Sequence, residues 1–284
     1  MNGKTLLLQT LASAVPYAFA ALGGTICERS GVANIALEGA MLVGAFAAAA
    51  GGLASGSLFV ALVSAFVAGG AFLAIHGLAV VRLGVSSIVS GVAMNLIAAG
   101  GTRFLLRAIY GSSANSPTVE AFSASGAGRL ILPALAVLAL ALTLFFFRKT
   151  ALGHWLVAAG EAPEALVATG HSVTPIRFWA VVVSGALAAL GGAALAVDLR
   201  QFQGGMTAGR GFIALAAVIL SGWRPGRAAL ACLGFALLDA VQVGLQAEQS
   251  GHAELLSAFP YLATLLLLVA LGKRAGERTP RALS

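Results

Sequence analysis

The sequence predicts an all-α fold, a polytopic transmembrane bundle of about 8–10 spans with discontinuous helices. Three observations predict it. Apolar residues make up 59% of the 284 positions and charged residues only 10%, with a mean hydropathy of +0.95. A soluble domain carries about 25% charged residues, so this chain lacks the polar surface that a water-facing exterior needs. Apolar runs of about 20 residues follow one another along nearly the whole chain, each long enough to cross a bilayer core of ~30 Å. Glycine is frequent along the chain, 36 residues in all with recurring Gly-Gly pairs, the composition of helices that pack closely or are interrupted.

Taken in order, the runs place helices near 6–26, 37–55, 57–81, 85–107, 130–148, 178–197, 206–222, 228–246 and 255–272. The first, from Leu6 to Ile26, resembles the apolar region of a signal peptide, but its basic flank is a lone Lys4 and further spans follow. It reads as a retained helix. Two longer interruptions separate the later spans. Residues 108–129 are rich in Ser, Gly and Ala with little charge, and read as a mostly irregular external loop. Residues 149–177 follow Arg148 and begin with Lys149, end near Arg177, and are cytoplasmic by the positive-inside tendency. Counting outward from that segment puts Arg82, Arg224, Arg227 and the tail 273–284 with Lys273, Arg274, Arg278 and Arg281 on the same side. The N-terminus then lies outside, which Lys4 mildly opposes. The net charge of +7 is spread over these connections as a topology determinant, not gathered into a nucleic-acid patch.

Cys27 and Cys232 have no metal or disulfide spacing and read as small core residues. His76, His154, His171 and His252 are scattered without ligand spacing and read as interfacial or surface histidines. ALGG at 21–24, followed by GVANIALEG, is echoed by ALGG at 189–192, followed by GMTAGRGFIAL. By parity the two would run in opposite directions, as inverted repeats do; with so many glycines, chance is an equal explanation.

Within the cytoplasmic segment TALGHWLVAAGEAPEALVATGHSV, Pro163 suits a first helical turn. Glu161 and Glu164 sit at the positive end of the helix dipole, and Gly170 suits a left-handed cap. Two turns from about Pro163 to Thr169 result. Alone in water they would not hold, so they pack on the bundle or on a soluble partner.

The pattern G-x5-A-G-E-x-P-E-A-x4-G, followed by SGALAALGGA at 184–193, resembles the coupling segment of bacterial ATP-binding-cassette importer permeases of the sugar, branched-chain amino acid and nucleoside class. ERSGVANIALEGAMLVGAFAA from Glu28, IVSGVAMNLIAAGGTRFLL at 88–106 and MTAGRGFIALAAVILSGWRP at 206–225 resemble the basic membrane protein type nucleoside permeases. The resemblance implies one permease domain over 1–284, located in the bacterial inner membrane and serving as the shorter permease of a heterodimeric pair. It implies that Gly160, Glu161, Pro163, Glu164 and Gly170 form the coupling segment. The implied partners are a second permease, an ATP-binding subunit and an extracytoplasmic substrate-binding protein. ATP and Mg would sit on the ATPase, with no cofactor in this chain. The Asn usual before the proline is Ala162 here, which removes an N-cap worth ~1 kcal/mol.

Polar groups at membrane depth mark candidate pathway positions, and each has a structural alternative. Glu28 with Arg29 reads as an interfacial ion pair or as part of the break before the second span. Asn34 and Glu38, at i,i+4 beside Gly31 and Gly39, line a pathway or glue helices together. Asn95 continues a narrow stripe with Ser87 and Gly91, and Arg103 and Arg107 snorkel at the outer end of that span. Asp239, Gln242 and Gln246 share one face, suited equally to a solute hydroxyl or a neighbouring helix. Gln201 and Phe202, with Met206 and Arg210, flank the break before the seventh span, where a ring can stack on a base. Arg210 is expected to hold a loop carbonyl. GGMTAGRG lacks the Gly-Lys-Ser/Thr ending of a nucleotide phosphate loop and is not an ATP site.

No nucleophile set, carboxylate pair or cofactor fingerprint stands out, so an intramembrane enzyme is disfavoured. A secondary carrier would place ion-coupling acids in several spans, and Asp239 is nearly alone. The remaining reading is an ATP-driven importer permease for nucleosides, with riboflavin-like or simple-sugar solutes, or an ion-coupled carrier, as alternatives.

Overall fold

The computed structural model describes residues 3–112, 114–123, 126–248 and Pro280. Among them are the helices α1 (Gly3–Arg29), α2 (Leu37–Ser55), α3 (Leu58–Gly77, continued as a π turn over Leu78–Arg82), α4 (Ser87–Tyr110), α5 (Gly126–Lys149), α6 (Ala151–Glu161), α7 (Pro163–Ala168), α8 (Val173–Leu199), α9 (Arg210–Leu220) and α10 (Pro225–Glu248). Seven of these, α1 to α5, α8 and α10, contain stretches long and apolar enough to cross a membrane. The protein is an all-α polytopic bundle, and the span expected at 255–272 and the tail apart from Pro280 lie outside the described residues.

The centre of the bundle is α8, which packs on α1, α2 and α3. Its most apolar stretch is 72% buried, against 17% for α5 at the perimeter. The SGALAALGGA string explains this. A methyl at Gly192 would overlap the Met41 carbonyl, and one at Gly185 would lie 2.5 Å from the Gly69 carbonyl. The missing side chains let α2 and α3 press on α8 backbone to backbone, which is how helices associate when lipid offers no hydrophobic drive. Phe59, Phe104, Leu130 and Leu230 point outward and are exposed, as suits a surface meeting lipid or another apolar subunit.

The crossing expected as a helix over 206–222 is helical only in part. At one end residues 200–204 run beside the 108–129 connection: Val119 N–H donates to the Arg200 carbonyl at 2.8 Å and Ser116 N–H to the Phe202 carbonyl at 2.9 Å. At the other end Trp223 meets Glu28 at the foot of α1. Only Arg210–Leu220 between them is helical; its 11 residues rise about 16 Å, half the hydrocarbon thickness. The segment before it bends through Gly205, Ala208 and Gly209, with φ of 78°, 44° and 79°, values that no helix can continue. The 108–129 connection is likewise less irregular than expected, since it forms an antiparallel bridge between Asn115 and Gln203 and buries Val119 and Phe122.

Candidate functional site

Two regions carry the polar chemistry, and α9 joins them. The first lies at the arginine-rich end. Thr150 Oγ1 accepts the Gly153 N–H at 3.0 Å and starts α6, a helix within the stretch 149–177 expected as an interruption between spans. Its buried face is Gly153, Leu156, Ala159 and Gly160, a spacing of three and four that is visible in the string itself. Ala162 offers no side-chain cap, Pro163 opens α7, and the helix closes at Gly170 with φ 83°. The expected two turns are present. Leu166 is the buried residue of α7, while Glu164 and Val167 stand in the open.

The segment is fastened to the foot of α1. Arg177 donates through Nε to the Ser30 carbonyl at 3.0 Å and through Nη2 to the Ala159 carbonyl at 2.8 Å. Gly160 lies so close to the Arg29 carbonyl that a Cβ there would overlap it. Arg29 reaches Glu161 Oε1 at 3.3 Å and the Trp223 carbonyl at 3.5 Å, and stacks over Phe147 at 5.8 Å. Glu28 and Arg29 are therefore not each other's partners. Glu28 is 4% exposed and accepts the Trp223 indole N–H at 2.6 Å.

The second region is the pair of breaks at 30–36 and 200–209. Asn34 folds back to accept the Ala36 N–H at 3.1 Å and donates to Ser184 Oγ at 2.8 Å. Asn95 accepts the Gly39 N–H at 2.8 Å and donates to the Ile35 carbonyl at 3.0 Å. It does for the start of α2 what a capping residue does from within the chain. Glu38 Oε1 accepts the Gly209 N–H at 2.8 Å and Oε2 the Gly211 N–H at 2.7 Å. The glycine-rich string that is no ATP loop is thus an anion nest at a helix N-terminus, and its anion is the chain's own carboxylate. Gly211 is required for this, since a Cβ there would stand 2.5 Å from the Glu38 nitrogen.

The remaining candidates fall around this clamp. Arg210 holds the Met206 carbonyl at 3.2 Å and meets Asp239 at 3.5 Å. Asp239 and Gln242 are half-buried on one side of α10, as is Gln201 at the 200–209 break; the side chain of Gln246 lies outside the described residues. Phe202 is fully buried, edge-on to Phe46 at 5.3 Å, so in this conformation its ring packs the core and offers no face to a base. His76 corrects its surface assignment: it is fully buried, with Nδ1 2.8 Å from Ser90 Oγ, and ties α3 to α4. Cys27 and Cys232 are buried free thiols. No group of three metal-ligating side chains gathers among the described residues.

Known proteins match the sequence along most of its length. A family model described as the branched-chain amino acid transport system / permease component matches residues 6–271. The guanosine ABC transporter permease protein NupQ of Bacillus subtilis is 34% identical, covering 82% of this chain and 80% of its own. The nucleoside ABC transporter permease protein NupC of Lactococcus lactis is 31% identical over 93% of this chain and 91% of its own. The putative glucose ABC transporter permease protein TsgC13 of Haloferax volcanii is 31% identical over 93% and 90%. No solved structure matches significantly.

Proposed function

The chain belongs to the family of branched-chain amino acid transport system permease components, and from that premise we propose that it is the membrane-spanning subunit of an ATP-driven nucleoside importer. It carries solute across the bacterial inner membrane, paired with a second permease. An ATP-binding subunit on the arginine-rich, cytoplasmic side supplies ATP and Mg, and an extracytoplasmic protein delivers the solute. This chain performs no catalysis and holds no cofactor. The similarity to guanosine and nucleoside permeases supports the solute class. The sugar-transporting relative keeps simple sugars as the second reading.

The observation that supports the assignment is the α6–α7 segment, which leaves Glu164 and Val167 exposed while Gly160 and Arg177 bind its other side to the α1 foot. A push on α7 reaches the 30–36 break through that joint. The same joint holds Trp223, so α9 is gripped at its C-terminal end by α1 and at its N-terminal end by Glu38 of α2. The two helices flanking the first break thus pin the half-helix of the second at both ends. Solute would pass where Glu38, Asn95, Asp239 and Gln242 are half-exposed, meeting weak contacts that permit release.

The test is guanosine uptake into vesicles holding the complete complex. Uptake is expected to need ATP and to survive collapse of ion gradients; uptake driven by a gradient alone would remove the importer assignment. Reversing both docking acids, Glu161→Lys with Glu164→Lys, is expected to lower uptake severalfold. Unchanged ATP-driven uptake in that variant would show that α7 is not the docking element. Asp239→Leu is expected to lower transport while leaving assembly intact, and a normal uptake rate would take Asp239 off the route.

A further inference from the structure

A cavity of about 400 Å³ opens at the arginine-rich end between the last turn of α5 and the first turn of α10, lined by Leu144, Phe147, Arg148, Arg224, Pro225, Gly226 and Arg227. Its chemistry is two-sided. Three arginines line it and all three are exposed, while Leu144, Phe147 and Pro225 supply apolar lining. The backbone adds to the positive side. Trp223 sits at φ 56°, a left-handed turn that sends its indole inward to Glu28 and is followed directly by Arg224 on the cavity wall. Pro225 starts α10 without an N–H to donate, and the N–H groups of Gly226 and Arg227 behind it are first-turn donors with no helical acceptor.

We propose that this cavity binds the phosphate head group of an anionic phospholipid of the cytoplasmic leaflet. The surrounding surface favours a lipid over a protein acid. From the cavity toward the bilayer, α5 exposes Phe145, Leu142 and Leu138 and α10 exposes Leu230, Leu233 and Leu237. An acyl chain hanging from a head group held by the arginines meets apolar side chains on both helices. Arginine suits a phosphate because its planar fork donates two parallel bonds. Basic pockets between spans on the cytoplasmic side are where such head groups bind. The joint under the cavity is the one that carries the coupling segment, since Phe147 lies beneath Arg29 and Trp223 bonds Glu28. A bound head group would hold α5, α10 and the α1 foot together. This placement rests on the arginine-rich end being cytoplasmic, as in the proposed function.

The test uses the complete complex in nanodiscs of equal phosphatidylglycerol and phosphatidylcholine, with the lipids retained on release read by native mass spectrometry. The wild type is expected to retain phosphatidylglycerol in preference by on the order of tenfold. The Arg148→Gln/Arg224→Gln/Arg227→Gln variant is expected to fall to parity, and each single change to an intermediate ratio. Should the triple variant fail to assemble, Arg227→Gln against Arg227→Lys carries the test, with lysine restoring part of the preference. No preference in the wild type, or the same preference in the variants, overturns the proposal. Displacement of the lipid by inorganic phosphate alone would make this a free-anion site, and loss of the ATP-binding subunit with lipid preference intact would make it a protein contact. Both outcomes also overturn it. The readout involves no transport, so an uptake assay that fails leaves the lipid result standing, and the reverse.

Discussion

Glu38→Ala is expected to cost uptake more than any other single change on the polar route, by well over tenfold, and to lower the melting temperature of the purified permease. The carboxylate accepts two backbone N–H groups, from Gly209 and Gly211, and hydrogen bonds to a charged acceptor contribute about 1.5–3 kcal/mol each. Alanine leaves both donors facing a gap at the N-terminus of α9, where the helix dipole also favours the charge. A loss of roughly 3–6 kcal/mol is a large part of the 5–15 kcal/mol that holds a typical domain together. Glu38→Gln keeps one acceptor oxygen and turns an amide N–H₂ toward the other donor, so about half the loss is expected. Asp at this position is one methylene short of spanning both donors. Thermal unfolding followed by circular dichroism, beside uptake in vesicles, orders the series. An alanine variant that melts and transports like the parent would show that the nest holds its shape without the carboxylate.

The reason Glu38 was legible only in part bears on the whole molecule. Its position beside Gly39 and four residues after Asn34 marked a polar face, and the structure places all three at the first break. What the string could not carry is the partner, 171 and 173 residues away. The apolar run at 206–222 has the composition of a span, but Gly204 to Gly209 remains non-helical because residues 200–204 pair with the 108–129 connection, a tertiary contact that outranks local propensity. The long spans were readable because lipid imposes an apolar stretch of fixed length on each. The helix α6 was missed for the opposite reason: Arg148, Lys149 and His154 lower the hydropathy there, and the four small or apolar residues of its buried face cover too little to register as a run. His76 was misplaced because one buried bond to Ser90 is enough to satisfy a ring nitrogen inside a bundle, and such pairing leaves no mark on spacing.

How force passes from the cytoplasmic segment into the bundle can be decided by comparing two residues that are neighbours in sequence. Glu161 meets Arg29 at 3.3 Å, yet its side chain is 54% exposed, and a pair that open to water contributes at most about 1 kcal/mol. Glu161→Gln is therefore expected to leave uptake within about twofold of the parent. Gly160 makes no polar bond with its side, but its Cα sits against the Arg29 carbonyl with no room for a methyl. Gly160→Val must lift α6 from the α1 foot. The lift also strains the two Arg177 bonds, to Ser30 and to Ala159, that close the same joint. Overpacking of this kind typically costs 1–3 kcal/mol, and here the whole cost falls on the contact between the coupling segment and the 30–36 break. ATP hydrolysis by the assembled complex is expected to persist while uptake falls by about tenfold or more, the signature of a lost linkage rather than a lost site. If both activities fell together, the variant would have lost assembly. If neither fell, the push from α7 would have to travel through α8, whose second turn carries Arg177, and not through the foot of α1.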